Sequence, residues 1–177
     1  DPTETTSETP QPTLTAPPSE TPEDEAAAAI TEAFELLIAD LDAYFSSAGD
    51  YSIDDITANP PTAAWPITGD ADFEIQNWVT SWRQQELEAV GTTTVVAHDI
   101  TSIDLEGGTA SSVACRDMTA VTFANYSGEP VEPPFEPTQY QTWQMTWIYE
   151  PEAAPDAGIE TAGWYLQEFN LALDEPC

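Results

Sequence analysis

The spacing of apolar residues changes once along this chain, and the change divides it into a helical half and a sheet half. Ile30, Phe34, Leu37, Ile38, Leu41, Tyr44 and Phe45 recur at intervals of three and four, with acids on the opposite side. That period predicts an amphipathic helix. Its start is marked by Thr21 as N-cap, Pro22 at the first helical position, and Glu23, Asp24 and Glu25 against the positive end of the helix dipole. Gly49 is the expected stop. A second, short helix is predicted at "SIDDI" (52–56), where Ser52 and Asp55 stand at capping-box spacing. After the break "NPPTAAWP", a third is predicted from Ala71 to Glu86, with Ile75, Trp78, Val79 and Trp82 as its buried stripe.

From Gly91 onward the period is two. "TTTVVAHDITSIDL" reads as a strand, the glycine pair that follows as a turn, and "TASSVACRD" as the return strand. "MTAVTFANY" continues that strand or pairs again, up to the loop "SGEPVEPPFEP". "YQTWQMTWIYE" places Trp143, Met145, Trp147 and Tyr149 on one face, and "GWYLQEFNLAL" supplies a last strand. Helices first and an antiparallel sheet afterwards is an α+β order rather than an alternating one.

Residues 1–21 are Pro, Thr, Ser and Glu with one large apolar residue, Leu14. Too little apolar surface is present to offset ordering entropy, so the segment reads as an extended acidic linker ahead of a domain over 22–177. Charge narrows the partners: 33 acids face two bases, Arg83 and Arg116, for a formal charge of −31. Nucleic acid and anionic membrane surfaces need Lys or Arg to displace counterions, and both are excluded as partners. A saline habitat and a secreted protein kept soluble by charge both account for the acidity. No apolar run of roughly 18 residues is present to span a bilayer. The start at Asp1, without methionine, suggests processing and hence export.

Taken together, "VGTTTVVAHDITSIDLEGGTASSVACRD", "NYSGEPV", the Trp-rich strand and "GWYLQEF" resemble the small NTF2-like (SnoaL-like, cystatin-cone) domains of actinobacterial secreted lipoproteins. The resemblance covers residues from about 26 to the C-terminus. It implies helices packed on a curved antiparallel sheet that forms a cone with an apolar mouth. It also implies an extracellular or cell-surface location, with the acidic linker following a lipidated cysteine that this chain does not contain. Membership implies no reaction, because this fold carries diverse functions. In such a sheet Cys115 and the terminal Cys177 come near each other, and an exported protein with two cysteines commonly pairs them. A bridge closing so long a loop contributes about 4 kcal/mol on the chain-entropy model. Two free thiols, or Cys177 joined to a second chain, are the alternatives.

His98 is the single histidine. Strict alternation puts it on a face with Val96 and Ile100, either as an acid/base group in the cone or as a hydrogen-bonded strand residue. Arg83 and Arg116 are expected to pair with acids, or one of them to grip an anionic ligand group at the mouth. Trp78, Trp82, Trp143, Trp147 and Trp164 suit core packing, and with Tyr126 some of them suit a pocket wall. Tyr44 and Asp55, with His98, are the residue types an isomerase-like site requires. The acids at 54–55 and in "DLEGG" lack the spacing of a calcium loop. "NYS" (125–127) fits a glycosylation acceptor. No metal and no cofactor is expected. The function expected is a non-enzymatic surface domain, monomer or dimer, that binds a small apolar or cationic ligand or a surface protein. An isomerase or hydratase working in the cone, and a ligand-free solubilising domain, are the alternatives.

Overall fold

A computed structural model describes residues 21–173. Residues 1–20, most of the predicted linker, and Cys177 lie outside the described residues. Helix α1 spans Pro22–Phe45, α2 Ile53–Ala58 and α3 Gly69–Gln84. The strands are β1 (Leu87–Val90), β2 (Thr94–Asp104), β3 (Thr109–Asp117), β4 (Thr122–Asn125), β5 (Tyr140–Glu150) and β6 (Gly163–Leu173). The four long strands form an antiparallel sheet in the order β2-β3-β5-β6, and β1 pairs with β4 in a separate two-stranded sheet. The fold is α+β, with helices packed on antiparallel sheets.

The start of α1 follows its capping signal. Thr21 accepts from the Asp24 amide, and the Asp24 carboxylate receives the Thr21 amide in return at 3.0 Å. The end departs from expectation: α1 stops at Phe45, four residues short of Gly49. Ser46 and Ser47 there donate their hydroxyls to the Ala43 carbonyl, at 3.0 and 2.8 Å, and so supply the local bonds that compete with further helix. Gly49 instead sits in a 3₁₀ turn where an added Cβ would lie 2.8 Å from the Glu88 carboxylate. Helix α3 runs from 69 rather than 71 and ends at Gln84, because Glu86 takes a left-handed φ of 55° and breaks the helix without a glycine.

Helix α1 packs against β1, β2 and β6, and α3 against β1 and β6. Ile30, Phe34, Leu37 and Leu41 of α1, with Ile75 of α3, meet Trp143, Trp147 and Leu166 of the sheet in a fully buried core. Two bulges adjust β2. Its register against β3 shifts between Val95 and Ala97 and again between Ile100 and Ser102. The first shift makes Val95 the residue packed on the core and leaves Val96 52% exposed, so His98 shares its inner face with Val95 and Ile100. Tyr149, expected in phase with Trp147, is 43% exposed at the strand end.

The four-residue β1 was not foreseen. It pairs with β4 from Leu87↔Asn125 to Val90↔Thr122, and the segment before β4 turns rather than extends. Gly91 joins this small sheet to β2 with φ of 106°, and a Cβ there would meet the Ala120 carbonyl oxygen at 2.4 Å. Only glycine fits that corner. No helix among the described residues is long and apolar enough to cross a membrane.

Candidate functional site: an aromatic cavity with a buried ion pair

The corner at Gly91 lies on the wall of a cavity of about 370 Å³. Its walls come from distant parts of the chain: Phe45 at the end of α1, Trp78 and Trp82 on α3, Phe123 on β4, and Leu171 and Leu173 on β6. Phe135, on the proline-rich loop after β4, covers one side. Its ring centroid lies 5.8 Å from that of Trp82 and 5.6 Å from that of Phe123. Phe45 backs Trp82 at 4.6 Å, and Trp78 abuts Trp143 at 5.9 Å. This is a volume and lining suited to a small organic molecule.

One end of the cavity is polar. Arg116 on β3 is 3% exposed, and its Nη2 donates to Asp42 Oδ1 at 2.5 Å. Its Nε donates to Thr93 Oγ1 at 2.8 Å, and its Nη1 reaches Gln141 Oε1 at 3.4 Å. Asp42 Oδ2 accepts from the Thr93 amide and hydroxyl, at 3.0 and 2.9 Å. Burial pushes the guanidinium pKa down, and the Asp42 charge and hydrogen bond hold it up. Asp42, Thr93, Arg116 and Gln141 all line the cavity.

Of the residues singled out from sequence, Trp78 and Trp82 are on this cavity. Trp143 and Trp147 are fully buried behind it, and Trp164 is buried near the far end of the sheet, with its ring centroid 5.5 Å from that of Tyr149. Tyr126 is elsewhere: it lies under Arg83, whose guanidinium carbon is 4.8 Å from the ring centroid, and it donates to the Arg83 carbonyl at 3.0 Å. Arg83 therefore departs from the expected carboxylate pairing. Among the described residues its guanidinium meets the Tyr51 carbonyl and the Tyr126 hydroxyl. The aromatic face and the carbonyl supply the negative potential that an acid was expected to provide. Arg116 does pair with an acid, Asp42.

Tyr44, Asp55 and His98 are not brought together. Tyr44 is buried and donates to the Val79 carbonyl at 2.8 Å, its pKa raised by desolvation and by Tyr126 and Tyr51. Asp55 is exposed on α2 and caps it with Ser52. His98 Nε2 lies 3.0 Å from Ser112 Oγ, a contact that resembles a base beside a nucleophile. Ser112 is 1% exposed, however, and its oxygen accepts the Trp147 indole N–H at 2.8 Å, so the hydroxyl lies beyond the reach of substrate. Asp104 accepts from the Gly107 amide at 2.9 Å, and Asn125 caps its turn through the Ser127 and Glu129 amides. Among the described residues no His, Cys, Asp and Glu group is arranged to hold a metal. Cys115 is 3% exposed and is not a free thiol, and the partner proposed for it, Cys177, is outside the described residues.

His98 gives a pH prediction. Its half-buried ring packs 4.9 Å from Phe34, and desolvation lowers its pKa below 6.5, against the upward pull of Asp99 and Glu35. The unfolded chain then takes up a proton before the folded one does. The neutral ring's contribution is complete above about pH 6.5 and is lost as pH falls towards the folded pKa. His98→Gln is expected to flatten the fall of the urea midpoint between pH 7 and pH 5.5. An unchanged slope counts against a desolvated histidine.

No protein-family model matches this chain, and no curated protein matches it. Among solved structures it is similar to the intermembrane space region of the chloroplast protein ARC6, with a TM-score of 0.51 and 10% identity, over 84% of this chain and 96% of that one. At that identity the likeness concerns the fold alone.

Proposed function

We propose that this chain is a non-enzymatic binding domain of the NTF2-like kind, exported and carried on its acidic N-terminal segment, and that its cavity holds a small, predominantly apolar molecule, uncharged or cationic. The observation that carries the reading is the cavity of about 370 Å³ walled by Phe45, Trp78, Trp82, Phe123 and Phe135. Such a surface loses water readily to an apolar guest. A formal charge of −31 opposes anionic guests at long range. The dispersal of Tyr44, Asp55 and His98 supports binding over catalysis. A bridge from Cys115 to Cys177 is part of the proposal, since it would tie down the chain just beyond Leu173, which lines the cavity.

Fluorescence titration with the neutral probe N-phenyl-1-naphthylamine tests it. Saturable enhancement is expected with the full chain. Phe135→Ala is expected to weaken binding about tenfold, the equivalent of one aromatic contact. Fluorescence that does not respond to the full chain overturns the reading.

A further inference from the structure

Around Arg116, in a cavity that Glu136 also lines, free side-chain donors outnumber free acceptors. A guanidinium carries five N–H groups and accepts nothing. In Arg116, Nε is engaged with Thr93, one N–H of Nη2 with Asp42, and one N–H of Nη1, at the long distance of 3.4 Å, with Gln141. The second N–H on each terminal nitrogen has no acceptor among the described residues, and the amide nitrogen of Gln141 has none either. Arg116 is 3% exposed and lines the cavity, so these donors are held where partners are few. The neighbouring acceptors are already committed. Asp42 divides its two oxygens between Arg116 and Thr93, and the Thr93 hydroxyl takes the Arg116 Nε–H.

The donor-rich surroundings of Arg116, beside an aromatic chamber, constrain the part of the guest placed there. An ammonium group set against Arg116 would meet N–H groups and a guanidinium charge. A carboxylate would approach an arginine whose charge Asp42 already balances, in a low-dielectric cavity where two carboxylates repel strongly. A neutral acceptor carries neither penalty and satisfies the remaining N–H groups of the buried Arg116, which are costly to leave unmatched. We infer that the cavity selects a compact aromatic or alicyclic molecule bearing a neutral carbonyl, as in a ketone, ester or amide, received by the Gln141 amide and the free N–H groups of Arg116. This rests on the binding reading above and specifies its ligand class.

The test uses three related fluorophores on the full chain: 2-dimethylaminonaphthalene, its 6-propionyl ketone and its 6-carboxylate. The ketone is expected to bind about tenfold more tightly than the parent, the increment of one well-formed hydrogen bond. Its emission should be red-shifted from its value in hydrocarbon, as for a hydrogen-bonded carbonyl, and the carboxylate should bind more weakly than the parent. Gln141→Leu is expected to cut the advantage of the ketone over the parent, both measured on that variant, to below about threefold. The ligand series on the unaltered chain decides the matter should that variant fold poorly. Parent and ketone binding equally, or the carboxylate binding best, overturns this inference and leaves cavity binding intact. No saturable binding of the parent takes both readings down.

Discussion

Replacing Asp42 by alanine is expected to cost the fold about 3–5 kcal/mol, the scale found when one partner of a buried ion pair is removed. Arg116 is 3% exposed and Asp42 19%, so the cation is the deeply held partner of the pair. Asp42 is its one carboxylate among the described residues, and Thr93 also directs both its amide and its hydroxyl at Asp42. The variant therefore strands a cation and two further donors. An exposed pair would cost under about 1 kcal/mol, so the magnitude separates the two descriptions. Joint replacement, Asp42→Leu with Arg116→Met, is expected to recover most of the loss, because the desolvation cost of both charges disappears with their attraction. Urea unfolding at pH 7 measures both variants. A loss below about 1 kcal/mol for Asp42→Ala, at unchanged m-value, would show that the pair is not isolated from solvent.

How far these features could be read in the sequence depends on the range of the interactions behind them. The three helices and the four long strands were legible because each is specified locally. Thr21 and Asp24 cap α1, Ser52 and Asp55 cap α2, and the alternation in "TWQMTW" sets the buried face of β5. The errors have local causes of other kinds. Two serines bonding back to Ala43 end α1 before the expected glycine, and a bulge replaces Val96 by Val95 on the inner face. Strand β1 has four residues and a partner some thirty positions away, so no pattern within it distinguishes it from a helix end. The cavity was the least legible, because residues 45, 82, 116, 135 and 141 meet only through the topology. One signal did exist. Arg116 is in phase with Ala110, Ser112 and Ala114, which point to the core, and a charge on a buried face needs a partner across it. The residue supplying that partner, Asp42, follows Leu41 directly at the edge of the apolar stripe of α1.

Trp147→Ala is the other substitution with a large expected effect, about 3–5 kcal/mol. Trp147 is fully buried, and the β5–β6 register shifts beside it, between Thr146 and Trp147. Neighbouring side chains cannot close over the gap without disturbing that bulge, which keeps the cost towards the upper end. The indole also takes part in the network that reaches His98. Trp147 Nε1 donates to Ser112 Oγ, whose hydrogen and second lone pair remain for His98 Nε2, 3.0 Å away. Trp147→Phe keeps most of the volume and removes that donor, for an expected loss of about 2 kcal/mol. A cycle of Trp147→Phe with Ser112→Ala separates packing from hydrogen bonding. A coupling of about 1 kcal/mol in urea unfolding is expected, whereas strict additivity would mean that the indole N–H contributes nothing through Ser112.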